Sequence, residues 1–529
     1  MAGTSRIARP SLVDRVMERL RPGYTLRRQM TSARAGAFRE ARSHYDAAKR
    51  ARRSQHWRVA GEDANAAARG NLQPLRAIAR DLVRNNAHAR RAVDAFAANI
   101  VGAGILPQVK GVPRPRRKAI EKVLKRHFGT TSIDADGLNA LAGLQALVVR
   151  TVMTSGECLV RRRWRRPDDN LPLPFQLQVL EPDFIDHTID GPQTNGNVAV
   201  QGVEFDLRGR RVAYWLYSEH PGSMMTFKLP ESNRVLADDI AHVFHAERPG
   251  QARGVTWFAP VILKMRDFAD FSDAQVVRQK IAACFAAFVT GDADAETEID
   301  GEESATGRRL EAFEPGMIEY LQPGESVEFA EPPQVTDYES FQLATLHEIA
   351  AGLNIPYTVL TGDLRQVNFS SGRMGWIEFG RVIEQRRELM LVPMLLDRVA
   401  RWTADALLVA KGVRAGDMEI EWIAPRREMI DPGKEIAAAQ AAVRAGFSSR
   451  SYEQRQFGWD PEDLEDEIAA DNARADDLGF IFDSDPRKTA AQGTLQADND
   501  DDDAGDDASP SKRNSKRRRD TREEAHAWH

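Results

Sequence analysis

Apolar residues recur at three- and four-residue steps, or their multiples, from about residue 75. Ile78, Leu82, Val93, Phe96 and Ile100 share one face, and the spacing predicts helix. Gly102, Gly104 and Pro107 end it. Between residues 175 and 245 the texture changes to short runs, FQLQVL, NVAVQGVEFD, RRVAYWLYS and IAHVFH, parted by Asp190-Gly191, Asn195-Gly196 and Arg208-Gly209. Such runs between turn dipeptides predict strands, and so a mostly β insertion at about residues 165–246. Phe258, Ile262, Met265, Ala269, Val276, Ile281, Phe285 and Phe288 then form one apolar stripe. It predicts a helix over residues 258–289, roughly 45 Å long at about 1.5 Å per residue. Another helical pattern covers residues 373–408, with Trp376, Phe379, Ile383, Met390, Met394 and Trp402 on its apolar side. Pro393 inside it predicts a kink, because proline removes a backbone donor. Helices, then strands, then long helices read as α+β rather than a doubly wound sheet.

The join between the last two helical patterns, residues 337–373, is the most informative stretch. A helix-like run ends at Gly352 and Pro356, the turn Leu-Thr-Gly-Asp follows at 360–363, and NFSSGR leads into the next helix. There is no base beside a nucleophile, no phosphate loop and no metal spacing. The punctuation is that of a rigid connector, with Ser370 or Ser371 expected to cap the following helix and Arg373 expected to pair across a subunit contact.

The passage IAAGLNIPYTVLTGD followed by NFSSGR resembles the lambda-type family of phage portal proteins. ARDLVRNNAHARRAVDAFAANIVGAGILPQ, LQALVVRTVMTSGECLVRR, VLEPDFID, RVLADDIAHVFHAERPGQARGVTWFAPVILKM and the late stretch beginning DPGKEIAAAQ are similar to further family elements, in the same order along the chain. The resemblance implies a portal-type subunit with long stem and wing helices, a small mostly β clip and a helical C-terminal crown. It implies a homo-oligomeric ring, typically a dodecamer, at one vertex of a phage or prophage capsid. Double-stranded DNA would pass through that ring without sequence preference. The major capsid protein, the terminase packaging motor and head–tail connector proteins would be its partners. Its place would be the virion, after assembly in the bacterial host cytoplasm. On that scheme residues 1–60 are a basic arm, 61–164 helical wing, 165–246 the clip and 247–290 a stem helix. Residues 291–372 are wing and connector, 373–482 helical wing and crown, and 483–529 a tail. Asn368, Ser370, Ser371 and Arg373 would be structural. A channel-facing loop is expected at 330–338, with Pro332, Pro333 and Gln334 at its centre.

Composition adjusts this picture in a few places. A chain of 529 residues exceeds one ordinary core. No apolar run reaches the roughly 18 residues that span a bilayer, and the first residues have no apolar segment of a secretory signal. The two cysteines, Cys158 and Cys284, sit among apolar neighbours and read as buried thiols of a reducing compartment. Net charge is −5, from 73 basic and 78 acidic residues. A dedicated duplex binder carries a basic excess instead. The runner-up reading, from a different class, is a DNA-binding capsid assembly or scaffold protein that uses the basic arm. Arg161, Arg162, Arg163, Arg165 and Arg166 around Trp164 are a possible DNA contact, or an ion-pair surface between subunits. The acidic run at 292–303 partly copies a calcium loop, but Thr297 stands where the sharp turn demands glycine. His242 and His245 have no ligating partners at metal spacing. No G-x-x-x-x-G-K-[ST] and no G-x-S-x-G occurs, so the reading is of a non-enzyme without cofactor or metal. Residues 498–507 are mostly aspartate and 512–519 mostly basic, a segregated-charge tail expected to be disordered.

Overall fold

The structure, a computed structural model, describes residues 61–223, 231–283, 287–290, 326–329, 338–365, 367–413, 418–425 and 428–482, with 485 and 487. The basic arm, the acidic run at 292–303, Cys284, Pro332, Pro333, Gln334 and the charged tail lie outside the described residues.

Helices α1 (Ala64–Ala68), α2 (Leu72–Asn85) and α3 (Ala87–Val101) come first. Asn86 caps α3, its side chain accepting from the Ala89 amide at 3.1 Å. Val93, Phe96, Ala97 and Ile100 of α3 are buried, which seats its apolar face in the main core. Strand β1 (Leu106–Lys110) precedes α4 (Arg114–Phe128) and α5 (Leu141–Ser155).

Gly156 turns α5 directly into β2 (Glu157–Trp164). Its φ of 90° is left-handed, and a Cβ there would strike the backbone of Val255 and Thr256. Strand β2 pairs antiparallel with β3 (Phe175–Leu180) on one side and β9 (Ile240–Phe244) on the other. A meander of β4 (Gly191–Pro192), β5 (Val198–Val200), β6 (Val203–Phe205), β7 (Arg211–Tyr217) and β8 (Ser232–Leu236) makes a second sheet. Side chains alternate along β2, and both faces are apolar. Cys158 and Val160 enter the helical core, while Leu159 joins Leu180, Ile240, Val203, Tyr214 and Leu216 in a second core between the sheets. The three-stranded sheet thus runs across residue 165, where the sequence suggested that an insertion begins. Burial pushes the Cys158 thiol far above the ordinary thiol range, so it is an inert core side chain.

Helix α6 (Ile262–Ala283) is shorter than the apolar stripe predicted, because residues Ala287–Thr290 form strand β10, paired antiparallel with β11 (Ser326–Phe329). An unbroken run such as FAAFV satisfies both the helical and the strand period, and its Phe and Val favour a pleated chain. Helix α7 (Tyr338–Leu353) runs back along α6. Lys264 pairs with Glu348 at 2.9 Å near one end, and Phe271 packs on Tyr338 and Phe341 near the other.

After the short α8 (Tyr357–Thr361), α9 (Phe369–Arg386) passes into a π-helical segment, Arg387–Leu396, and then α10 (Asp397–Lys411). The proline effect predicted as a kink is met by this widened stretch around Pro393, where the missing donor needs no i→i−4 partner. Arg387 donates to the carbonyls of Ile100 at 2.9 Å and Asn99 at 3.0 Å, so it covers the open C-terminal end of α3. Strand β12 (Glu419–Ile423) pairs antiparallel with β1. The last helices, α11 (Pro432–Arg444), α12 (Arg450–Gln456) and α13 (Pro461–Leu478), bury only Pro461 and Ala475. Arg114, Arg117 and Lys118 of α4 hold α13 through Glu462 and Asp466. The arrangement is α+β.

Candidate functional site

Sequence segments far apart meet at one buried ionic cluster. Glu157, fully enclosed at the start of β2, accepts from the Arg253 guanidinium at 2.6 and 2.9 Å and from the Gly254 amide at 2.8 Å. Nε2 of His242 lies 2.9 Å from the same carboxylate, and its Nδ1 lies 3.0 Å from an Arg211 nitrogen. An arginine can only donate, so Nδ1 accepts and Nε2 carries the proton, which makes His242 neutral. Burial lowers its pKa to about 4, although Glu157 pulls the other way. Burial alone would raise Glu157, but Arg253 and His242 outweigh it and hold the carboxyl far below the usual range. Arg253 also donates to the Gln201 carbonyl at 2.7 Å. Beyond them Arg76 reaches Glu157 at 3.7 Å and Asp183 at 3.5 Å, and Arg80 binds Asp183 and the Ser155 hydroxyl.

This knot ties α2, the α5–β2 junction, the 182–184 turn, β9 and the loop before α6 into one body. Its members come from the segments LRAIARDLVRNN, SGECLV, EPDFID, RRVAYWLYS, IAHVFH and QARGV. The sequence reading gave none of them a role. One signal was present: a glutamate inside the apolar run SGECLV must be paired if that run is buried. Every carboxylate in the cluster is answered by a guanidinium. Glu181, Asp183 and His220 lie close enough to hold a cation, yet Asp183 is already bound by Arg76 and Arg80. His245 packs edge-on to Trp257, 6.5 Å away, apart from that group.

The connector is built from capping interactions. Gly362 ends α8 in the left-handed region at φ 76°, and Arg91 donates to the neighbouring Val359 carbonyl at 2.8 Å. Asp363 accepts from Arg365 at 2.9 and 3.0 Å and from Tyr357 at 3.2 Å, and Arg365 holds its carboxyl far below the usual range. The cap of α9 is Asn368, not either serine. Its Oδ1 accepts from the Ser371 amide at 2.8 Å, and the Ser371 hydroxyl accepts from the Asn368 amide at 3.1 Å. Ser370 is exposed. Asn368→Ala should therefore cost about 1 kcal/mol, while Ser370→Ala should change little, and urea unfolding of both variants checks this order. Arg373 lines a cleft of about 330 Å³ with Glu428, Glu435 and Glu453 of its own chain.

The arginine cluster is divided by the alternation of β2. Arg162 faces inward to Asp239 at 2.9 Å and Asp405 at 2.7 Å, with its guanidinium 4.7 Å from the Trp164 ring centre. Arg165 donates to Gln176 at 2.6 Å, and the Arg166 amide donates to Asp169 at 2.8 Å. Arg161 and Arg163 lie on the face opposite Arg162.

A family model described as phage portal protein, lambda family, matches residues 50–387. A probable portal protein of Halomonas phage phiHAP-1 is 28% identical over 435 residues, covering 77% of this chain and 82% of that protein. Portal protein B of Escherichia phage lambda is 23% identical over 458 residues, covering 77% and 85%. Among solved structures, the neck of a native gene transfer agent particle aligns with a TM-score of 0.42 at 16% identity, covering 72% of this chain and 93% of that one. A HK97 family phage portal protein from Corynebacterium diphtheriae aligns with a TM-score of 0.33 at 11% identity, covering 69% and 98%.

Proposed function

Because the chain belongs to the lambda family of phage portal proteins, we propose that its portal function in a phage capsid is carried out by a closed ring of copies at one vertex, through which double-stranded DNA is packaged and ejected. The family is structural. The ring reading is supported by one observation above others: large apolar side chains that are exposed among the described residues. Val276 and Val277 on α6, Met374 on α9, and Phe447, Tyr452, Trp459, Phe480, Ile481 and Phe482 of the C-terminal segment are exposed. Exposed apolar side chains of this size are what a neighbouring copy covers. Head-to-tail contacts of identical subunits close into rings when the rotation fits. The resemblance favours a dodecamer.

The α6–α7 pair is the proposed stem. The paired strands β10 and β11 lie in chain order between its two helices, so the clip is assigned to residues 284–337. The region 165–246, first assigned to the clip, is bound into the helical body by β2 and the ionic cluster. It fits the wing instead. The candidate channel loop at Pro332, Pro333 and Gln334 then falls between the clip ribbon and the returning stem helix. Docking of the terminase motor and head–tail connectors is assigned to the clip, and contact with the major capsid protein to the wing. The DNA contact is transient, because the charge balance supplies no excess of guanidinium and ammonium groups to hold phosphates.

Capsids assembled in a host that lacks only this chain are expected to contain no packaged DNA, and supplying the chain should restore filling. DNA-filled heads formed without it would contradict the conduit role.

A further inference from the structure

Two cations of β2 have no side-chain partner among the described residues. Arg161 and Arg163 stand two residues apart, opposite Gln178 and Gln176 of β3, on the face that Arg162 does not share. Both are half-buried, and among the described residues neither side chain has a hydrogen bond or ion pair. The nearest described carboxylate influence on Arg161 is Asp239, which Arg162 already binds. Burial and the neighbouring Arg163 both disfavour the Arg161 charge. Half-desolvated guanidiniums side by side raise the energy of the isolated subunit, and an outside anion would relieve it.

Resting on the ring reading, we propose that Arg161 and Arg163 are the basic half of a contact between adjacent copies of this chain, receiving carboxylates from the neighbour. A head-to-tail contact joins two different faces of the same chain, so a basic patch calls for an acidic one elsewhere on it. Helix α13 provides one. Asp463, Glu465, Glu467, Asp471 and Asp477 are exposed there and have no partner among the described residues. Arginine's planar fork matches a carboxylate with two parallel bonds, and arginine is enriched in the cores of interfaces. A DNA backbone is the poorer fit. Phosphate affinity accumulates with the number of contacts, and of the five arginines around Trp164 two, Arg162 and Arg165, are already bound to Asp239, Asp405 and Gln176.

The test compares the full chain with an Arg161→Glu, Arg163→Glu variant and an Arg161→Gln, Arg163→Gln variant. Mass photometry over a dilution series reads assembly, circular dichroism reads the subunit fold, and a salt titration reads duplex binding. Assembly of the Glu pair should require at least about tenfold more protein than the native chain, because like charges would face each other across the contact. The Gln pair, which keeps the fold without the charges, should show a smaller loss in the same direction. Duplex binding should keep its salt slope. Native-like assembly of both variants would overturn the contact. So would unchanged assembly with the salt slope reduced by about two, the mark of two lost phosphate contacts. A native chain that never forms rings would sink the ring reading and this contact together. Native rings with indifferent variants would sink the contact alone.

Discussion

An Arg253→Ala chain should be less stable than the native chain by roughly 3–5 kcal/mol, the cost of stranding one member of a buried ion pair. The guanidinium answers Glu157 with short bonds from two nitrogens, and both residues are almost wholly enclosed. Without it the carboxylate keeps His242, the Gly254 amide and a longer contact to Arg76. Those groups do not neutralise it at short range, and the Gln201 carbonyl also loses its donor. Arg69 gives the contrast. It pairs with Asp190 from a surface position, so Arg69→Ala should cost no more than about 1 kcal/mol. Thermal melts of the two variants should differ widely. An Arg253→Ala melt close to that of Arg69→Ala would contradict the central role given to the cluster.

Acidification should destabilise the subunit well before its ordinary carboxylates are protonated. His242 and His127 both titrate at about 4 in the folded chain, below the ordinary value of 6.5. Burial is the first cause in each case. His127 is enclosed between Phe128 and Phe175, with ring centres 5.6 and 5.1 Å away. Between pH 6.5 and about 4 the unfolded chain binds protons at both rings and the folded chain does not. Stability therefore falls as pH falls through that window, by up to roughly 3 kcal/mol for each fully buried ring. Below the normal carboxylate range Glu157 and Asp183 add to the loss. Their folded pKa values are depressed, so their contribution is present above the unfolded values and disappears as pH drops through the folded ones. Melting temperatures at pH 7.5, 6, 5 and 4 should decline steadily. A flat profile down to pH 4.5 would mean that both histidines accept protons in place.

The fold class and strands β3, β5, β6, β7 and β9 were legible in the sequence, because period-two runs between Asp-Gly and Asn-Gly turns are strong local signals. Three features were not legible for physical reasons. The end of α6 was missed because its apolar stripe runs without interruption into β10. The cap of α9 was placed two or three positions late, since Asn and Ser both cap and only geometry shows that Asn368 accepts while Ser371 reciprocates. The ionic cluster was invisible because its members are 85 and 96 residues apart from Glu157 along the chain. Pattern reading detects spacing within one element, whereas this cluster exists only after α2, β2, β9 and the loop before α6 have packed. The arginine run was visible as a group, but its division into inward and outward members required the register of β2 with β3.

Electron microscopy of the purified full-length chain tests the central claim most directly. Closed rings with an axial channel wide enough for duplex DNA, built from many identical subunits, are the expected result. Single subunits or small compact oligomers at every concentration and salt tried would contradict it.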